Sequence, residues 1–337
     1  MEDSFLGLDP TERAEALAVA ADASGRPADI LEKDVWVVWT LGALFDGPFA
    51  NHLCFKGGTS LSKAYKVITR FSEDIDVTYD IRALLPDVLG DATADPLPPN
   101  RSREKTWSKM VRERLPAWVE EAALPAARAR LDADRAPATL HAEGDRLYLR
   151  YEPAAPAATD YVAPSILVDF GARSTGEPVR NLPVSCDAAI HLPSLSFPTA
   201  NPRVMAAERT FWEKATAAHV FCLEGRLRGE RYSRHWYDLA RLDEVGLATQ
   251  ALADPDLGRV VAHHKNSFFR VKDASGRPID YVEAIEGGLR LVPERAALDA
   301  LADDYGRMLT AGLLEVSAPS FDDVMRRCRD LEKRANR

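Results

Sequence analysis

The chain has 337 residues, 46% of them hydrophobic and 28% charged, with a net charge of −9. That length points to about two domains, and the composition is that of a water-soluble globular protein rather than a nucleic-acid coat. No apolar run approaches the ~18 residues of a membrane span, and Met1-Glu2-Asp3-Ser4 opens no basic-then-apolar leader, so a cytoplasmic location without membrane contact is expected.

The four cysteines (Cys54, Cys186, Cys222 and Cys328) form no CxxC pair and read as reduced, small hydrophobes. Basic residues cluster at Lys56, Lys63, Lys66 and Arg70, at Arg226, Arg228, Arg231 and Arg234, and again from Arg326 to Arg337. The last group reads as a solvated helix face.

In chain order, residues 10–23 and 28–45 are predicted helices, the second carrying Leu31, Val35, Val38, Leu41 and Leu44 at three- and four-residue intervals. His52 to Phe55 is a short apolar strand, Ser60 to Arg70 a helix, and Glu73 to Tyr79 a strand. A Pro- and Asp-rich stretch near 86–100 is a loop, and Trp107, Met110, Val111, Leu115, Trp118 and Val119 mark a helical hairpin segment. Arg146 to Tyr151 and Ile166 to Phe170 are strands around the Ala/Pro-rich loop 153–164. Beyond about residue 200 the pattern is helical. The expected division is an α/β domain over 1–200, with N-terminal helices and a helical insertion near 101–135, and a helical domain over 201–337.

Two short motifs carry chemistry. Strand alternation places Asp74, Asp76 and Thr78 on one face and Ile75, Val77 and Tyr79 on the other. Adjacent carboxylates repel unless neutralised, and a hard divalent cation such as Mg²⁺ or Mn²⁺ suits them. A half-exposed strand with Arg partners is the plain alternative. Fourteen residues upstream, Gly57-Gly58-Thr59-Ser60 turns a strand into a helix. Bare backbone at such a turn can approach a phosphate closely. It is neither a GxxxxGK[ST] loop nor a GxGxxG fingerprint. Together the two motifs lay out a site for a metal-bound NTP.

Phe55-Lys56-Gly57-Gly58-Thr59-Ser60-Leu61-Ser62-Lys63, followed by Arg70-Phe71-Ser72-Glu73-Asp74-Ile75-Asp76, closely resembles the AbiEii/AbiGii family. These are nucleotidyltransferase toxins of abortive-infection and type IV toxin–antitoxin systems, in the DNA polymerase β-like superfamily. Ile30-Leu31-Glu32-Lys33-Asp34 is similar to a helix start in that family. Glu208 to Lys214 resembles the helix with an essential lysine, and Arg234-His235-Trp236-Tyr237-Asp238-Leu239 the final Lys-Asp-x-Tyr-Asp-Leu motif. Only the second aspartate of that motif, Asp238, is kept; His235 stands where the first would be. The resemblance implies a fold of α/β (α+β) class, a polymerase β-like mixed sheet with flanking helices and a helical C-terminal domain. It also implies NMP transfer to an acceptor hydroxyl, with a tRNA 3′ end as acceptor, and a separately encoded antitoxin.

The expected catalytic residues are Asp74, Asp76, Lys214, Asp238 and Asp169. Lys56, Gly57, Gly58, Thr59, Ser60, Lys63 and Ser72 are the expected nucleotide ligands, and Asp74, Asp76 and Asp169 the metal ligands. Lys214 sits in a stripe of Ala207, Thr210, Phe211, Ala217, Ala218 and Phe221, where a lysine snorkels or meets a buried anion. Asp169, within an apolar strand, needs a cation or an ion pair with Arg173 or Arg150. Asp238 has Arg234, His235 and Arg241 within a helical turn, enough for an ordinary surface ion pair. A protein- or small-molecule-modifying nucleotidyltransferase and an inactive nucleotide- or RNA-binding relative are the rival readings.

Overall fold

Alternation of apolar and polar residues builds a seven-stranded mixed sheet. The computed structural model describes residues 3–70, 72, 74–92, 94–155, 163–225, 230–315 and 317–337. The strands are β1 (Leu53–Lys56), β2 (Ile75–Tyr79), β3 (Ala138–Glu143), β4 (Arg146–Tyr151), β5 (Ser165–Gly171), β6 (Val179–Asn181) and β7 (Arg203–Met205). Their spatial order is β3-β4-β5-β2-β1-β7-β6. β2 is parallel to β5, and β7 to β1; β1–β2, β3–β4 and β4–β5 are antiparallel.

The chain divides into two compact units, residues 1–64, 73–92 and 109–204, and residues 65–72, 93–108 and 205–337. In the first, Ile75 and Val77, Leu147 and Leu149, and Ile166, Val168 and Phe170 are buried. Each such side chain contributes roughly 1.5–3 kcal/mol. Helix α1 (Pro10–Ser24) begins in a capping box, where Asp9 accepts from the Thr11 and Glu12 amides. Helix α2 (Ala28–Phe45) is buried almost all round, with Trp36 stacked on Tyr151 at 5.3 Å.

Three boundaries differ from the sequence reading. The helix expected over Ser60–Arg70 is instead α3 (Gly57–Lys63). Lys66 takes a left-handed φ of 56°, and the β-branched run Val67-Ile68-Thr69 favours helix poorly. The strand expected from Glu73 begins at Ile75, Glu73 and Phe71 lying outside the described residues. The expected hairpin is instead a continuous helical run, in which α4 (Arg101–Trp118) passes through a π turn at Val119–Ala123 into α5 (Leu124–Asp134). Pro125 cannot supply the usual amide, and Leu124 N–H reaches back five residues to Val119.

The second unit is mainly helical: α6 (Ala207–Glu224), α7 (Arg234–Glu244), α8 (Leu247–Ala253), α9 (Pro255–Phe268), α10 (Arg295–Thr310) and α11 (Phe321–Ala335). Phe211, Trp212, Ala215, Ala218 and Phe221 bury one side of α6. A Cβ at Gly258 would lie 2.9 Å from the Trp212 ring, so glycine lets α9 approach α6. Among the described residues no helix is long and apolar enough to cross a membrane, and all four cysteines are free thiols.

Candidate active site

Register assembles the carboxylate face. Asp76 on β2 is the Cα partner of Asp169 on β5 and of Lys56 on β1. Asp169 is in turn opposite Arg146 on β4. One transverse row therefore reads Lys56–Asp76–Asp169–Arg146, two carboxylates flanked by two cations. Arg146 Nε lies 3.4 Å from Asp169 Oδ2, their side chains 50% and 41% exposed. Arg146 is thus an ion-pair partner of Asp169. Burial raises the Asp169 pKa above the ordinary carboxylate value; Arg146 opposes the shift and the Asp76 charge adds to it.

The glycine turn and the carboxylates form one construction. Gly57 has a φ of 77°, and a Cβ there would fall on the Asp76 carboxylate. Only glycine fits this close approach. Thr59 Oγ donates to the carbonyl oxygen of Asp74, fixing the start of β2 against α3. Asp74 itself is half-buried, one residue before the strand.

These donors suit a hard divalent cation, since all are carboxylate oxygens on one side of the sheet beside a backbone free of side chain. Among the described residues no group of three His, Cys, Asp or Glu side chains closes into a metal cage. Mg²⁺ commonly takes one or two carboxylates and completes its shell with water and substrate phosphate. Asp76 and Asp169 match that pattern, with Asp74 adjacent.

The second unit holds a buried cluster of charged residues. Asp238, 0% exposed, accepts from Arg70 Nε at 2.7 Å and Nη2 at 2.8 Å, and from Lys214 Nζ at 2.8 Å. Burial alone would raise the Asp238 pKa, but the two cations outweigh it and hold the carboxylate well below its usual range. Asp238 is therefore no surface pair with its helical neighbours; Arg241 pairs with Glu244 instead. His235 is kept neutral by burial and by the Lys214 and Arg234 charges, its Nδ1 without a hydrogen-bond partner among the described residues.

The sequence matches the family of nucleotidyl transferase AbiEii toxins of type IV toxin–antitoxin systems over residues 39–327. The chain belongs to the AbiEii family. It is accordingly a nucleotidyltransferase toxin, with an NTP as substrate and a cognate antitoxin implied by the system. No curated protein sequence matches it. Among solved structures it is similar to MenT4, a nucleotidyltransferase toxin from Mycobacterium tuberculosis H37Rv, at 18% identity. That match covers 95% of this chain and 97% of that one, with a TM-score of 0.39.

Within this AbiEii chain, several expected nucleotide ligands serve the scaffold. Lys63, 8% exposed, bonds Asp34 at 2.5 Å and Asp187 at 2.6 Å, and Arg26 adds a further pair to Asp187. Its charge is balanced inside the protein by these two carboxylates. Thr59 and Ser60 are buried, their hydroxyls donating to the Asp74 and Gly57 carbonyls. Both hydroxyl protons are thus engaged within the chain, and the neighbouring Lys56 is half-buried. Ser72 is half-buried. The Ile30–Asp34 motif is wiring too: Glu32 accepts the Ala154 and Ala155 amides, and Lys33 donates to Ala163 O.

Of the basic clusters, Arg226 and Arg228 lie outside the described residues, while Arg326, Arg327, Lys333 and Arg334 on the expected helix α11 each meet a carboxylate. Sequence reading assigned Arg70 and Arg146 no role of their own at these carboxylates. Arg146 had a signal, because it opens a strand whose apolar residues alternate with Arg146, Tyr148 and Arg150.

Proposed function

We propose that the protein transfers a nucleoside monophosphate from an NTP, with Mg²⁺ or Mn²⁺, to the terminal hydroxyl of an RNA, the tRNA 3′ end, and so blocks translation. The observation that carries this reading is the Lys56–Asp76–Asp169–Arg146 row beside a glycine whose missing Cβ makes room for the Asp76 carboxylate.

The acceptor oxygen forms a bond to the α-phosphorus, the bond to the β-phosphate oxygen breaks, and pyrophosphate leaves. A divalent cation held by Asp76 and Asp169, with Asp74 beside them, would supply positive charge against the triphosphate. Asp169 takes the proton from the attacking hydroxyl. The Gly57 and Gly58 backbone lies against the phosphates, and Lys56 is the nearest cation of the row. In the helical unit, Lys214 is assigned a catalytic role and Asp238 the holding of its ammonium, with Arg70 bonding both carboxylate oxygens.

Purified protein, Mg²⁺, each labelled NTP in turn and total tRNA form the test, beside Asp76→Asn and Lys214→Ala. Label on tRNA with the wild type, and loss of it in both variants, is the expected result. Label on protein or a small molecule instead would overturn the acceptor assignment. Absence of any transfer, with NTP still bound, would overturn the catalytic reading in this chain.

A further inference from the structure

We infer that the open face of β3–β4–β5 is a docking platform for the single-stranded 3′ end of the acceptor RNA; this rests on the acceptor reading proposed above. Three transverse rows share that face by register. Nearest the carboxylates, Glu143 and Arg146 align with Asp169. The next row is His141–Tyr148–Leu167, and the one after it Thr139–Arg150–Ser165. All are exposed or half-buried, whereas the intervening Leu140, Leu147, Leu149, Ile166 and Val168 are buried.

The middle row is aromatic. His141 and Tyr148 lie 4.9 Å apart, centroid to centroid, with their planes 9° from parallel. Such a cross-strand pair stabilises a hairpin by itself, but here it lies between two arginines. Arg146 reaches the carboxylate row. Arg150, exposed between two hydroxyl side chains, has no ion pair among the described residues. An aromatic surface between cations is the arrangement that binds a single strand, the ring receiving a base and the arginines the phosphates.

Position argues for the same occupant. Tyr148 lies one strand over and two residues along from the Asp169 row, roughly 8 Å away, the scale of one nucleotide. A strand whose last hydroxyl reaches Asp169 would place its preceding nucleotides over Tyr148 and Arg150. The platform is continuous with the transfer site, and its chemistry is sequence-tolerant.

The probe is a short single-stranded RNA with a free 3′ hydroxyl and a 5′ fluorophore, titrated by anisotropy against the full chain without NTP. Tyr148→Ala is expected to weaken binding about tenfold, in line with loss of base stacking, while Tyr148→Phe restores it. Arg150→Gln is expected to weaken binding and to lower the salt dependence by about one phosphate contact. In transfer assays the loss should fall on the acceptor KM rather than on that of the nucleotide. Arg150 is exposed, so its variant keeps the test alive if Tyr148→Ala folds poorly. Unchanged RNA binding in both Tyr148→Ala and Arg150→Gln, with transfer to tRNA intact, would overturn the platform and leave the proposed function standing. A wild-type chain that labels no RNA would overturn the acceptor reading and the platform together.

Discussion

Lys63 separates two kinds of role for a lysine beside a phosphate-like turn. If it belongs to the internal network, Lys63→Met leaves Asp34 buried beside the partly exposed Asp187, with Arg26 as the remaining cation. Removing one member of a buried pair costs about 3–5 kcal/mol, because the surviving charge loses its compensation. That is a large share of the stability of an ordinary domain. Urea unfolding of the first unit should show the loss.

The pH dependence gives a second handle. Burial already raises the Asp34 pKa, against the pull of Lys63. Without Lys63 it rises further, so the folded variant binds more protons than the unfolded chain through the range above the normal carboxylate pKa. The variant therefore gains stability as pH falls, and its deficit against the wild type shrinks on acidification. Asp34→Asn combined with Lys63→Met should recover part of the loss, a coupling that a double-mutant cycle reads directly. A Lys63→Met protein within about 0.5 kcal/mol of the wild type, as for an ordinary surface change, but with a raised nucleotide KM, would refute this and return Lys63 to the phosphates.

Gly57→Ala should abolish transfer and cost about 1–2 kcal/mol from the left-handed backbone alone, since its methyl also meets the Asp76 carboxylate. Transfer rate and melting temperature measured together check both parts. His219, 2% exposed, accepts the Arg290 amide through Nδ1 at 3.0 Å, and burial, helped by the Arg290 charge, pulls its pKa down to about 4. The unfolded histidine protonates first, so this contribution is complete above pH ~6.5 and is lost as pH falls towards 4, by about 3 kcal/mol. His219→Gln should flatten that part of the stability–pH curve; an unchanged curve would show that the histidine is not held neutral.

What could be read from the sequence follows the range of the interactions. The adjacency of the glycine turn and the Asp74-Ile75-Asp76 segment was legible because they are bound locally: Thr59 reaches a carbonyl 15 residues on, and Gly57 faces Asp76. The alternation of β4 and β5 was equally plain, with buried residues at every second position. β3 was not, because only Leu140 of its six residues is buried and the other apolar positions of its alternation, Ala138 and Ala142, are small.

Roles set by distant partners were beyond reach. Lys63 looks like a phosphate ligand within its own segment, but its ammonium pairs with Asp34 and with Asp187, the latter 124 residues away. Asp238 looks like a surface residue among Arg234 and Arg241, and is instead buried on Arg70, 168 residues away. Burial of each charge required a partner, which the linear pattern supplied in the wrong place. The row Lys56–Asp76–Asp169–Arg146 is the same lesson in the productive direction. Its four residues come from four strands, and only sheet register sets opposite charges side by side. A residue's charge is therefore legible in the sequence, while its use is decided by what the fold places opposite it.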